Sequence, residues 1–111
     1  MNKEELYNMR SCWVHPDGTI QIVASEDHDN DLPSFCKTVK DAENSCVRVS
    51  CAWGYNASIS EIYLPRKLTY DQAQQLIKLN DEIKEYFNCN IENKINIWHN
   101  GLSWNEILDL V

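Results

Sequence analysis

The longest regular pattern of apolar and polar positions runs from Leu68 to Phe87, LTYDQAQQLIKLNDEIKEYF. Wound at about 3.6 residues per turn, Ala73, Leu76, Leu79, Ile83, Tyr86 and Phe87 share one face, with Asp71, Lys78, Asp81, Glu82 and Glu85 opposite. Thr69 reads as an N-cap and Gln72, three residues later, completes a capping box; Leu68 is placed to fold back onto the first turn. The pattern predicts a helix over about 69–87, roughly 28 Å long. Asn80 falls inside the apolar stripe. Left without a partner, a buried amide costs about 1–3 kcal/mol, so a hydrogen bond to a nearby strand or loop backbone is expected, with a ligand-facing amide as the alternative.

Elsewhere the period shortens to two. Cys12–His15 and Thr19–Val23 are rich in β-branched and aromatic residues and flank Pro16-Asp17-Gly18, a strong turn signal, which predicts a hairpin with Trp13 and His15 on one face. In Cys46–Trp53, Val47, Val49, Cys51 and Trp53 alternate with Cys46, Arg48, Ser50 and Ala52, and after Gly54-Tyr55-Asn56 the chain returns as a strand over Ile59–Leu64 that Pro65 ends. Lys94–His99 reads as a last strand. Between the hairpins, Ser25–Asp31 is an acidic loop, and Asp31 is placed to cap a short helix with Pro33 in its first turn and Phe35, Val39 and Ala42 on one side. At the far end, Ser103 and Glu106 form a second capping box, Leu102 and Ile107 a hydrophobic staple, and Trp104, Ile107, Leu108 and Val111 an apolar face. Residues 1–10 are compatible with a short helical turn or a frayed end.

The predicted order is ββαββαβα. The expected fold is α+β, a single domain over 1–111 with a mostly antiparallel sheet. The helices pack on one face of the sheet, the long one central and a short C-terminal one beside it.

Composition narrows the function. The chain has 111 residues, 43% of them hydrophobic, enough for a packed core. Its formal net charge is −7. Duplex binding needs Lys and Arg to neutralise phosphates, so direct nucleic-acid binding is not expected, whereas a protein partner with a basic surface is. The N-terminus, MNKEELYNMR, lacks an apolar signal region and no run approaches a membrane span; with five Cys, an odd number, the expectation is a cytosolic protein with reduced thiols.

No C-x-x-C, H-x-x-x-H or H-E-x-x-H spacing is present, so neither a metal site nor a cofactor is expected. Asp27, Asp29 and Asp31 alternate like the first ligands of a calcium loop, but Leu32 stands where the loop needs Gly and Thr38 where it needs Glu. The acidic run has a simpler role ahead of a helix N-terminus, where negative charge is favoured. His28, between two Asp, is the one candidate general base, and nothing with the spacing of a catalytic nucleophile accompanies it. The candidate partner contacts are therefore Asp27, His28, Asp29 and Asp31 in the loop, Tyr55 at a hairpin tip and Tyr63 on a strand.

Taken in order, W-V-x-P-D-G-x-I at 13–20, H-D at 28–29, V-R-V at 47–49 and L-T-x-x-Q at 68–72 resemble a set of small bacteriophage and mobile-element proteins. Those share a W-[IV]-x-P-[DN]-G hairpin, a His before a short helix, and an [LP]-T-x-x-Q helix start. The present chain departs from them in having Ser45-Cys46 where they have Gly-Trp before the second strand. The resemblance covers about residues 13–80 and implies a mobile-element origin without an activity or catalytic residues.

The expected function is therefore a small acidic binding protein in the cytoplasm of a bacterial host, acting by protein–protein occlusion as an inhibitor of a defence nuclease, in the manner of an anti-CRISPR protein. An immunity protein that neutralises a toxin and a small enzyme using His28 are the alternatives.

Overall fold

Around Pro16-Asp17-Gly18 the chain does what its residues dictate. The Gly18 amide donates to the His15 carbonyl (2.9 Å), the His15 amide to the Thr19 carbonyl (2.8 Å), and the Thr19 amide to Asp17 Oδ1 (2.9 Å). Gly18 takes φ 88°, in the left-handed region that a side chain disfavours. The turn joins β1 (Ser11–Val14) to β2 (Ile20–Val23), paired antiparallel with Trp13 opposite Gln21 and Cys12 opposite Ile22.

The computed structural model describes residues 3–23, 31–52, 58–64, 68–87 and 96–97. Besides the hairpin these form α1 (Lys3–Asn8), α2 (Val39–Ser45), β3 (Val47–Ala52), β4 (Ser58–Tyr63), α3 (Tyr70–Phe87) and β5 (Asn96–Ile97). The fold is α+β, as expected. Five strands lie in the order β2-β1-β3-β4-β5; the first four are antiparallel and β5 runs parallel to β4. Parallel neighbours need a crossover rather than a tight turn, and α3 is that crossover. Ser50 and Cys51 of β3 face Glu61 and Ile59, so Ser60 is the extra residue of a bulge in β4. The closing helix expected over 103–111 lies outside the described residues, as does Trp53.

Register converts alternation into two unlike faces. Ile22, Cys12, Val49 and Ile62 form one transverse row, and Ile20, Val14 and Val47 a second row beside it. Ala73, Leu76 and Leu79 of α3, together with Leu68, cover these rows; Leu6 and Met9 close the core beside them, making α1 a packed element rather than a frayed end. Burial of Leu76 and Leu79 contributes roughly 1.5–3 kcal/mol each. The α3 capping box forms as read: the Thr69 amide donates to Gln72 Oε1 (2.9 Å) and the Gln72 amide to Thr69 Oγ1 (3.1 Å). Gln72 is buried, and its Nε2 goes on to donate to the Val14 carbonyl (3.3 Å).

The opposite face carries Trp13, Val23, Ala42 and Cys46, with Leu32 and Cys36 packed against them. Here the sequence reading needs correction twice. The short helix starts at Val39, capped by Thr38, whose hydroxyl accepts from the Asp41 amide (3.1 Å) while Asp41 Oδ2 accepts from the Thr38 amide (3.3 Å). Asp31 caps nothing, and Pro33–Cys36 is one isolated turn (Cys36 amide to Pro33 carbonyl, 2.9 Å). Thr38 prevails because it owns a reciprocal acidic partner three residues on, which Asp31 lacks. In addition, α2 does not join α3 on one face: Ala42 docks it against Trp13, on the other side of the sheet.

Candidate partner-binding face

Of the residues singled out from sequence, Asp27, His28, Asp29 and Tyr55 lie outside the described residues. Asp31 and Tyr63 do not, and both meet the same transverse row. Gln21, Trp13, Arg48 and Tyr63 stand side by side across four strands. The Asp31 carbonyl accepts from Trp13 Nε1 (3.1 Å), so Asp31 contributes its backbone here while its side chain is exposed. Arg48 is 8% exposed. Its guanidinium carbon lies 3.8 Å from the centroid of the Tyr63 ring and 5.9 Å from that of Trp13, and its Nη1 is 3.5 Å from Glu43 Oε1. Stacking on an aromatic face suits the planar, weakly hydrated guanidinium. The row therefore braces α2 and the 31–36 segment against the sheet. Sequence reading missed Arg48 because a V-R-V alternation shows only that Arg48 leaves the valine face, whereas its ring partners are set by strand register.

At the hairpin turn the surface changes character. His15 Nε2 lies 2.7 Å from Gln21 Oε1, and the His15 ring packs edge-to-face on Phe35, centroids 5.3 Å apart. Phe35 is 56% exposed, contrary to its expected place on the packed side of a helix, and Tyr70 is 68% exposed. Tyr70 follows Thr69, whose hydroxyl donates to the Pro16 carbonyl (3.0 Å). The two aromatics thus flank one turn, Phe35 from the α2 side of the sheet and Tyr70 from the α3 side.

Around them stand the exposed carboxylates of Asp17, Asp31, Asp41 and Asp71, against Lys37 and Lys40 of opposite sign. The Thr19 amide and hydroxyl hold the Asp17 carboxyl below the ordinary aspartate range. No periodicity marks this cluster; among its parts only the turn motif was legible in sequence.

The remaining chemistry is sparse. Burial pushes the Cys12 thiol up to about 12, so it stays protonated beneath α3. Among the described residues no group of three or more His, Cys, Asp and Glu is placed to hold a metal ion, and no helix is long and apolar enough to cross a membrane. An open depression of about 200 Å³ between α1, β2 and α3 is lined by Glu5, Ile20, Ile22, Gln75, Lys78 and Glu82, with no nucleophile or His among them. Asn80 is buried, and its Oδ1 finds no partner among the described residues, so the backbone hydrogen bond expected for that oxygen does not form there.

No family model, no curated protein and no solved structure matches the chain.

Proposed function

We propose that the chain is a small acidic binding protein of phage or mobile-element type that acts in the bacterial cytoplasm by covering a basic surface on a protein partner, the partner class being a host defence nuclease. One observation carries this reading: two large exposed aromatics, Phe35 and Tyr70, flank one turn within a surround of four exposed aspartates. Aromatic anchors supply contact area at low entropic cost. Carboxylates around them favour encounter with cationic surfaces and suppress binding to like-charged ones. A net charge of −7 acts in the same direction over longer range.

The test is inhibition of DNA cleavage by purified defence nucleases. The wild-type chain should inhibit at least one, more weakly as salt rises, and a Phe35→Ala/Tyr70→Ala variant should lose about tenfold or more in potency while keeping its stability. If every nuclease is unaffected and a toxin is neutralised instead, the protein is an immunity protein. Equal potency of the double variant would remove this face from the mechanism.

A further inference from the structure

We propose that Cys36 and Cys46 are a redox modification site, a thiol pair that closes reversibly into a disulfide on the face of the sheet opposite α3. Both are free thiols in the structure. Cys46 is wholly buried at the C-terminal end of α2, where its amide donates to the Ala42 carbonyl (2.7 Å). Cys36 is half-buried at the end of the Pro33–Cys36 turn. Cys36 packs against the buried cluster formed by Trp13, Val23, Ala42 and Cys46, and each thiol is near enough to the other to act on its proton. Only α2 and its cap separate them along the chain, so the turn, the capping box and the helix hold both ends in place. Cys12 lies in the core under α3, across the sheet, and cannot compete for either sulfur.

The asymmetry in exposure sets the order of events. With a small disulfide such as oxidised glutathione as oxidant, the Cys36 thiolate attacks one sulfur. The new S–S bond forms as the old one breaks, and the first glutathione leaves as thiolate. Cys46, deprotonated, then attacks the Cys36 sulfur of the mixed disulfide and expels the second glutathione. Two protein thiols lose two electrons and two protons in total, and both are recovered on the two glutathione thiols. Burial, then the neighbouring Asp41 carboxylate, raise the Cys36 thiol above its ordinary range; burial, then Cys36 and Asp17, push Cys46 up to about 12. Closure is therefore slow near neutrality, and its rate should rise about tenfold per pH unit between about pH 7 and 9. The bond would fasten the turn that carries Phe35 to the start of β3, but the proposal does not depend on what Phe35 binds.

The test uses the whole chain under native conditions with oxidised glutathione, followed by acid quench, alkylation and mass spectrometry. The expected product loses the mass of two hydrogens and contains the peptide of residues 41–48 cross-linked through Cys36. It should revert with dithiothreitol and melt several degrees higher than the dithiol. Cys36→Ser removes a half-buried thiol and should fold and resist closure; Cys46→Ser should stop at a glutathione adduct on Cys36. Native protein that keeps every thiol, halts at the adduct, or links through Cys12, Cys51 or Cys89 overturns the proposal.

Discussion

At Gly18 the backbone has φ 88°, and a Cβ there would sit 2.9 Å from the Asp71 carbonyl oxygen. Both conditions exclude a side chain, the first through the turn and the second through the approach of α3. Gly18→Ala should therefore destabilise by about 1–3 kcal/mol, read as a lower urea midpoint at unchanged slope. Next to it, Asp17 makes a pH-dependent contribution whose sign follows from its amide partner. Its carboxyl titrates lower in the folded chain than in the unfolded one. The contribution is complete above the unfolded value of about 4, and disappears as pH falls through the lower folded value. Asp17→Ala should flatten the acid side of a stability–pH profile below about pH 4 and leave its shape above about pH 6 unchanged. The hairpin residues were legible because their chemistry is local: Pro presets φ, Asp bonds the amide two residues on, and Gly accepts the left-handed position. The contact of Gly18 with Asp71 was not legible, since 53 positions of chain separate them.

The two capping boxes show how one local code has unequal weight at the level of elements. In α3 the box is partly buried, and Gln72 also satisfies the Val14 carbonyl in the sheet. In α2 the Thr38–Asp41 box is exposed. Gln72→Ala should cost about 2–3 kcal/mol, as it removes the partner of the Thr69 amide and a buried hydrogen bond to the Val14 carbonyl, whereas Thr38→Ala should cost about 1 kcal/mol. Equilibrium urea unfolding of the two variants in parallel tests the difference; equal losses would mean that the Val14 contact contributes nothing. The long helix and its cap could be read because an apolar stripe and a reciprocal Thr/Gln pair are properties of one segment. The start of α2 was misplaced because Asp31 followed by Pro33 is also a valid helix entry. The choice between them fell to the reciprocal Thr38–Asp41 box, and the helix so started packs Ala42 and Cys46 with Trp13.

For the molecule as a whole, the row from Gln21 to Tyr63 joins four strands, and Arg48 is its centre. Arg48→Met keeps the aliphatic bulk but loses the stack on Tyr63 and the Glu43 pair; the expected cost is about 1–3 kcal/mol by thermal or urea unfolding. Arg48→Lys should recover little of it, because a rounded ammonium cannot lie flat on a ring as a guanidinium does. Glu43→Gln should cost under about 1 kcal/mol, since that carboxylate is partly in water. A loss for Arg48→Met no greater than for Glu43→Gln would show that the aromatic stack carries no weight.

By itself the sequence determined the turn at Pro16–Gly18, the cap and apolar stripe of α3, the alternation of Val47 and Val49, and the α+β class. Each depends on φ/ψ preference, hydrogen bonds a few residues apart, or the period of one segment, and these act before any tertiary contact forms. Only the tertiary structure decided the sheet order, the parallel placing of β5, the docking of α2 on the far face, and the meeting of Trp13, Arg48 and Tyr63. It alone also put Phe35 and Tyr70 on either side of one turn. Those depend on which strands pair and in what register, and register is set by the fit of side chains far apart in the chain, which no short window of residues contains.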